Sequence, residues 1–295
     1  MVKKNGRVRG HIKFKCNLCL HQWRGFYGRQ INYERHYHSW IFGRRTLLEI
    51  ADAIGISPRT LQKKFDAIDV EEGLVGLPGK EAINLQIDAT YFGSEYGFIC
   101  FHDGRRVIYF HEIKAESSGD VILGLRALKK SGYRFKSVTI DGRKGFDEAI
   151  RKELGGVPIQ LCLFHTRAIV RRYLGPNPTA EAALDLSLLT AKLKSSDPQN
   201  FINQFHRLTI KHRIALLPAF IKANRKRQRV RLAYRFLEQN MHRIFTFKDI
   251  PTANIPPTTN HLEGLFSHLK ERLKLHRGLC QSRKKTAIKF LLKHF

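Results

Sequence analysis

Two aspartates stand where a carboxylate is costly to bury. Asp88 ends the apolar run at residues 83–88, and Asp141 follows the apolar run at residues 137–140. A charged group at the end of an interior strand loses hydration unless a cation compensates it. If these two strands lie side by side, the carboxylates converge, and hard oxygen donors of this kind suit Mg²⁺ or Mn²⁺. Taken singly, each aspartate is better explained as a cap of the following turn.

A third acid, Glu263, lies in residues 256–278, where Leu262, Leu265 and Leu269 have helical spacing. Glu263 and Lys270 lie about two turns apart on one face of this helix, which would hold the acid near the sheet and beside basic groups. A surface glutamate paired along the helix is the ordinary alternative. Three acids on two strands and a helix would form a two-metal site, one ion activating the attacking oxygen and the other the leaving oxygen.

The pair Cys16 and Cys19 has the spacing of one half of a zinc knuckle. A closed tetrahedral site needs two further ligands, for which His11 and His21 are candidates. Two ordinary cysteines are an equally good interpretation.

The elements that position the acids follow from the apolar spacing. Residues 82–92, 96–101, 107–113, 136–140 and 157–163 predict strands, and residues 118–130 and 145–154 predict helices. Three strands followed by alternating helix and strand predict a mixed α/β layer. Residues 166–248 show only helical texture, and the stretch from residue 259 predicts two helices broken near Gly278.

Residues 46–65 have the pattern of a helix-turn-helix. Gly55 allows the sharp turn, and Ser57 and Pro58 open the second helix. Four polar side chains of that helix would face the major groove of DNA: Arg59, Thr60, Gln62 and Lys63. Residues 71–79, with three glycines and a proline, predict a linker.

The chain has 53 Lys and Arg against 25 Asp and Glu, a net charge of +28, which predicts a polyanionic partner. Its apolar runs are too short to span a membrane, and the N-terminus lacks the apolar core of a secretion signal. Five cysteines without such a signal predict a cytoplasmic location. The densest cationic stretch, residues 222–235, would grip phosphates through Arg225, Lys226, Arg227, Arg229 and Arg231.

Asp88, Asp141, the Cys162-x-x-His165 pair and the Asn260-His-Leu-Glu263 segment, in this order, resemble the DDE transposases. The resemblance is strongest to the bacterial insertion-sequence transposases related to the Mutator superfamily, and it covers roughly residues 80–280. It implies an RNase H-like mixed sheet with an all-helical insertion, preceded by a zinc-knuckle-like segment and a helix-turn-helix. It also implies that Asp88, Asp141 and Glu263 bind two Mg²⁺ or Mn²⁺ ions.

The resemblance further implies that His165 lies near the scissile phosphate. From the residues alone, a histidine after a strand and beside two carboxylates could contact phosphate or move a proton. A zinc role for Cys162 and His165 is disfavoured by the sequence, since two further soft ligands are not apparent. Asn260 and Lys270 would orient the helix and touch the DNA backbone.

The resulting interpretation divides the chain into a knuckle-like segment at 1–40, a helix-turn-helix at 41–70, a catalytic core at 80–165 and 256–295, and a helical insertion at 166–255. The predicted function is hydrolysis at transposon ends followed by joining of the freed 3′-hydroxyl to target DNA. The expected partners are double-stranded DNA and further copies of the chain, in a dimer or larger assembly associated with the nucleoid. A structure-selective nuclease and a non-catalytic DNA-binding regulator remain as alternatives.

Overall fold

The computed structural model describes residues 1–9, 11–24, 31–217 and 225–295, without the side chains of residues 24 and 225–227. The chain forms two compact units, Met1–Asp69 and Val70–Phe295. In the part of the chain that is described, no helix is both long and apolar enough to cross a lipid bilayer.

The first unit begins with an antiparallel sheet of three strands, β1 (Val2–Val8), β2 (His11–Cys16) and β3 (Gln22–Arg24). These strands are not among those predicted from the sequence. Helices α1 (Tyr33–Phe42), α2 (Leu47–Ile54) and α3 (Pro58–Asp66) follow. The rings of Tyr37 and Trp40 on α1 pack against Phe65 of α3, so aromatic contacts hold α1 against α3.

The turn between α2 and α3 has the local structure that its sequence indicates. Thr46 and Glu49 form a capping box at the start of α2. Gly55 ends α2 in the left-handed conformation at φ 73°, where a side chain would be strained. The Ser57 hydroxyl accepts a hydrogen bond from the Thr60 backbone N–H and begins α3.

The second unit contains a six-stranded mixed sheet in the order β4-β7-β6-β5-β8-β9. Its strands are β4 (Gly73–Leu74), β5 (Ile83–Phe92), β6 (Tyr96–His102), β7 (Val107–Ile113), β8 (Phe135–Ile140) and β9 (Ile159–Leu161). The pairs β4 with β7, β7 with β6 and β6 with β5 are antiparallel, whereas β5 with β8 and β8 with β9 are parallel. The segment predicted to be a linker thus contributes the edge strand β4, and the fifth predicted strand is only three residues long.

Helices cover both faces of the sheet. The helices of this unit are α4 (Ser118–Lys130), α5 (Phe146–Leu154), α6 (Leu163–Leu174), α7 (Glu181–Ala191), α8 (Pro198–Lys211), α9 (Arg225–Ile244), α10 (Thr246–Asp249), α11 (Asn260–Leu275) and α12 (Gln281–His294). Adjacent residues of a strand point to opposite faces, and Phe101 contacts Gly124 of α4 while His102 stacks on His261 of α11. Every residue of β6 is consequently buried.

The described residues between β9 and α11 are largely helical, as their sequence indicates. Helix α9 places Ala233, Tyr234 and Leu237 in the core, next to α6 and β9. The side-chain amide of Gln160 on β9 donates to the backbone oxygen of Ile244 at 2.8 Å. This contact ties the end of α9 to the edge of the sheet.

Candidate active site

Asp88 lies on the part of β5 that extends past its parallel neighbour. The pairing of β5 with β8 ends at Gln86 and Thr139, while β5 continues alongside β6 to Phe92. The sequence predicted Asp88 at the tip of its strand. Asp88 instead lies within β5, because β6 continues the hydrogen bonding beyond it. Its side chain is half-buried, and its Oδ1 accepts a hydrogen bond from the Ala89 N–H at 2.8 Å.

Asp141 comes directly after the last residue of β8, at the same edge as Asp88, because β5 and β8 are parallel neighbours. Its Oδ1 accepts a hydrogen bond from the backbone N–H of Arg143 at 3.2 Å. The Arg143 Nε lies 3.8 Å from the other Asp141 oxygen and 2.8 Å from Glu116 Oε2. Arg143 therefore links Asp141 to a buried fourth acid.

Glu116 and Arg143 are residues that the sequence analysis did not identify. Glu116 lies just before α4, and its backbone N–H donates to the Tyr91 hydroxyl on β5 at 2.9 Å. Burial, together with the nearby negative charge of Asp141, raises the pKa of Glu116. The capping-box sequence at Ser117 predicts a helix start there, but no local pattern indicates that Glu116 faces Asp141.

Thr259 brings the helix that carries Glu263 to Asp88. It is the residue before α11, and its hydroxyl donates to Asp88 Oδ2 at 3.4 Å. Its backbone N–H and its hydroxyl each lie 3.4 Å from the Cys162 sulfur. Glu263 lies one turn beyond Thr259 along α11, so the contacts of Thr259 set the distance of Glu263 from Asp88 and from Cys162.

Cys162 and His165 begin a helix and do not close a strand. Strand β9 ends at Leu161, Cys162 is the residue that caps α6, and His165 lies in the first turn. The three-residue strand is too short for its end to be predicted from alternation. The His165 Nδ1 lies 4.0 Å from Glu263 Oε1, so the histidine stands between the acids of the sheet and the acid of α11.

The charges of the acids and of His165 shift one another's pKa values. Burial raises the pKa of Asp88 to about 7, and burial also raises the pKa of Glu263. Burial acts to lower the pKa of His165, but the close approach of Cys162 and the charges of Asp88 and Asp141 outweigh it and raise that pKa to about 9. A positive imidazolium thus partly compensates several carboxylates that have lost their hydration.

Two buried polar atoms at this site lack hydrogen-bond partners among the described residues. Glu263 Oε1 and His165 Nδ1 are both buried and have no hydrogen-bond partner of ordinary geometry within the described structure. Orphaned buried polar atoms are costly, so they indicate a site for a further ligand. Asp88, Asp141 and Glu263 provide the hard oxygen donors that a divalent cation prefers.

The N-terminal cysteines have no comparable surroundings. Cys16 is half-buried, Cys19 is exposed, and hydrogen bonds from the Cys19 and Leu18 backbone lower the pKa of the Cys16 thiol. Among the described residues, neither His11 nor His21 completes a set of three metal ligands with them.

The residues expected to contact DNA lie on α3, α9 and α11. Arg59, Thr60 and Lys63 are exposed on α3, whereas Gln62 is half-buried and its amide donates to Asp66 at 2.9 Å. Lys270 is exposed on α11 and lines a cavity of about 530 Å³ beside Phe92.

The cationic residues of α9 differ in how far they can be described. Arg229 is exposed and donates to the backbone oxygen of Arg172, and Arg231 is half-buried. The side chains of Arg225, Lys226 and Arg227 lie outside the described residues.

The fold and the site define a mixed α/β protein with a carboxylate cluster where two parallel strands end. The chain is similar to the Drosophila P element transposase in a strand transfer complex, with a TM-score of 0.49, 9% identity, and coverage of 90% of this chain and 92% of that chain. It also matches a simian T-cell lymphotropic virus intasome in complex with PP2A regulatory subunit B56 gamma, with a TM-score of 0.22, 15% identity, and coverage of 56% and 69%. No family model and no curated protein matches the chain.

Proposed function

We propose that the chain is a DNA strand-transferring enzyme of the DDE transposase type, with Asp88, Asp141 and Glu263 as its acidic triad. One observation carries the proposal: His165 lies 4.0 Å from Glu263 and is near enough to Asp88 and Asp141 for their charges to raise its pKa, so acids from two neighbouring strands and a distant helix surround one histidine. A chain that used these acids only for solubility would not need to bury them together.

Divalent cations fit the donor atoms of this cluster. The raised pKa values of Asp88 and Glu263 indicate negative charge that the protein alone does not compensate, and Glu263 offers an oxygen without a partner. Asp88, Asp141 and Glu263 would hold two Mg²⁺ or Mn²⁺ ions. When bound, such ions supply charge stabilisation to the attacking and leaving oxygens of a phosphodiester.

The protein's own groups have distinct tasks in this proposal. The Thr259 hydroxyl sets the distance between Asp88 and the start of α11. The Arg143 guanidinium is held by Glu116 and in turn positions Asp141. His165 is a cation at neutral pH, so its imidazolium would contact a phosphate oxygen or give a proton to the departing 3′-oxygen.

The order of the sheet supports the RNase H-like part of the proposal. Without the two-residue edge strand β4, the strands counted from β5 run 3-2-1-4-5, with antiparallel pairing among the first three and parallel pairing for the last two. This is the order that we expect of an RNase H-like core, with the helices α6 to α10 as the insertion. The division into five segments, given in the sequence analysis, belongs to the same proposal.

Double-stranded DNA is the proposed partner, at transposon ends and at the target. A net charge of +28 favours a polyanion, and α3 exposes Arg59 and Lys63 next to a tight turn. Strand transfer requires two ends to meet, so assembly into a dimer or larger complex is part of the proposal. A cytoplasmic, nucleoid-associated location remains a prediction.

The acid cluster argues against a non-catalytic regulator, which would have no need for the convergence. A structure-selective nuclease would share the cluster, and only the reaction products separate it from a transposase. A nuclease leaves cut DNA, whereas a transposase leaves a joined product as well.

The test uses the purified full-length protein and a labelled duplex containing the DNA that flanks its coding sequence. We expect cuts and joined products with Mg²⁺ and neither with chelator. Asp141→Asn and Glu263→Gln should each slow cleavage by about 100-fold or more, from a loss of roughly 3 kcal/mol of transition-state stabilisation. Their DNA binding should be nearly unchanged.

Glu271→Gln is the matched control, because Glu271 is exposed on the same helix as Glu263. It should cleave at the rate of the unsubstituted protein. Cleavage at that rate by Glu263→Gln would remove Glu263 from the triad, and cutting without any joined product would favour the nuclease.

A further inference from the structure

Cys162 has no part in the proposed reaction, yet its thiol is buried beside the acids. The Cys162 sulfur, a ring nitrogen of His165 and a carboxylate oxygen of Glu263 all lie within 4.8 Å of one another. Asp88 and Asp141 do not belong to this group. The Cys162 side chain is fully buried, while His165 and Glu263 are half-buried, so the group faces the interior of the cluster.

Two of these three residues contribute an atom without a hydrogen-bond partner of ordinary geometry among the residues that the structure describes. His165 Nδ1 and Glu263 Oε1 are 4.0 Å apart, which is too long for a hydrogen bond. Both atoms are buried without a hydrogen-bond partner of ordinary geometry in the described parts of the chain. A ligand that both atoms can contact would remove this cost.

The chemistry of the donors selects the ligand. A thiolate, an imidazole and a carboxylate together are the donors that Zn²⁺ uses, while Mg²⁺ avoids sulfur. Tetrahedral zinc, with bonds of about 2.0 to 2.3 Å, puts its donor atoms roughly 3.3 to 3.8 Å apart. The 4.0 Å separation of His165 Nδ1 and Glu263 Oε1 needs only a small contraction to reach this range.

We propose that Cys162, His165 and Glu263 form a zinc site with three protein ligands and one open position. From the sequence alone, zinc at the cysteine–histidine pair is disfavoured because further ligands are not apparent. The structure brings in Glu263, which is 98 positions from His165 in the sequence. This site goes beyond the proposed strand transfer and shares Glu263 and His165 with it, so bound zinc would withdraw both residues from that reaction.

The test measures zinc binding to the full-length protein without DNA. Because Cys16 and Cys19 could bind zinc themselves, the parent protein for the test is the Cys16→Ser, Cys19→Ser double variant. Metal-free protein is dialysed against Zn²⁺, and Co²⁺ is used in parallel because a cobalt–thiolate bond has a charge-transfer absorption band. We expect about one zinc per chain and a thiolate–cobalt band.

In this parent protein, Cys162→Ser should abolish the cobalt–thiolate band, and Glu263→Gln should weaken zinc binding by at least about tenfold. Cys280→Ser is the matched control, because this thiol is exposed just before α12, and the variant should bind zinc as the parent does. Asp141→Asn should also bind zinc normally. Circular dichroism of each variant verifies folding, and Glu263→Gln keeps the test decisive if Cys162→Ser does not fold.

A parent protein that takes up no zinc, or a cobalt spectrum unchanged in Cys162→Ser, would overturn the zinc site. Equal losses in Asp141→Asn and Glu263→Gln would overturn it too, since carboxylates would then hold the ion. These outcomes are independent of strand cleavage, which is measured with Mg²⁺ and DNA in zinc-free buffer.

Discussion

Replacing Asp88 by asparagine should stabilise the metal-free protein while removing its proposed activity. Burial raises the pKa of Asp88 from 3.8 to about 7, so the ionised carboxylate is disfavoured in the folded state. Asparagine has the same shape without the charge. Its side-chain oxygen can still accept the hydrogen bond that the Ala89 N–H donates to Asp88 Oδ1, and its amide NH2, in the place of Oδ2, would donate to the Thr259 hydroxyl oxygen.

The size of the gain follows from the pKa. A pKa raised from 3.8 to about 7 corresponds to roughly 4 kcal/mol between the protonated and ionised forms. Because the side chain is half-buried, solvent screens part of this energy, and we expect about 1 to 3 kcal/mol at pH 8. For a unit of this size, that is a rise in Tm of roughly 2 to 4 °C per kcal/mol.

The pH dependence gives the prediction its sign. Between pH 3.8 and about 7, the folded state keeps the Asp88 proton while the unfolded state has lost it, so the free energy of unfolding falls as the pH rises. Asp88→Asn lacks this fall. The two proteins should therefore have similar stability near pH 4, and the variant should be the more stable one above pH 7.

Thermal unfolding followed by circular dichroism, with chelator and at pH 4.5 and 8, measures the difference. Addition of Mg²⁺ at pH 8 should raise the Tm of the unsubstituted protein more than that of the variant. Glu238→Gln, at an exposed glutamate of α9, is the control and should change little. A variant less stable than the unsubstituted protein at pH 8, or the same gap at both pH values, would refute the proposed burial of charge at Asp88.

Two further predictions concern packing and DNA recognition. Gly124→Ala should lower the free energy of unfolding by about 1 to 3 kcal/mol in urea titrations, because a Cβ would come within 2.2 Å of the Phe101 ring; Gly264→Ala, in open space on α11, should cause no such loss. In gel shifts, Arg59→Ala and Lys63→Ala should each weaken binding to terminal-repeat DNA more than to random DNA, by about 1 to 3 kcal/mol for a side chain that contacts a base edge. Equal losses on both DNAs would mean that these residues contact only phosphates.

Much of the mixed sheet could be predicted because its strands are long and bounded by turns. Strands β5 and β8 lie within one or two residues of their predicted limits, and the two are neighbours, as the convergence of Asp88 and Asp141 requires. Helices α2 and α3 were also predicted, because capping residues and Gly55 mark their ends. In each case the signal is local.

The features that were missed depend on contacts between distant residues. Strand β4 has two residues in a glycine-rich stretch, and only its pairing with β7 makes it a strand. Glu116 meets Arg143 across a separation of 27 residues, and Glu263 reaches His165 across a longer one. No residue type or local spacing encodes such meetings, so the sequence predicted the acids of the cluster but not the groups that hold and neutralise them.

The hydrogen bond at the start of α6 has a consequence for how this chain tolerates change in length. The backbone N–H of Leu163 donates to the Pro257 oxygen at 2.9 Å, and Thr259 touches Cys162 next to it. The segment between Leu163 and Pro257 therefore leaves the sheet and returns to it at one hydrogen-bonded contact. Because α9 packs in the core, a change in length at the exposed turns of this segment, and not within α9, would leave that contact and the spacing of the acids in place.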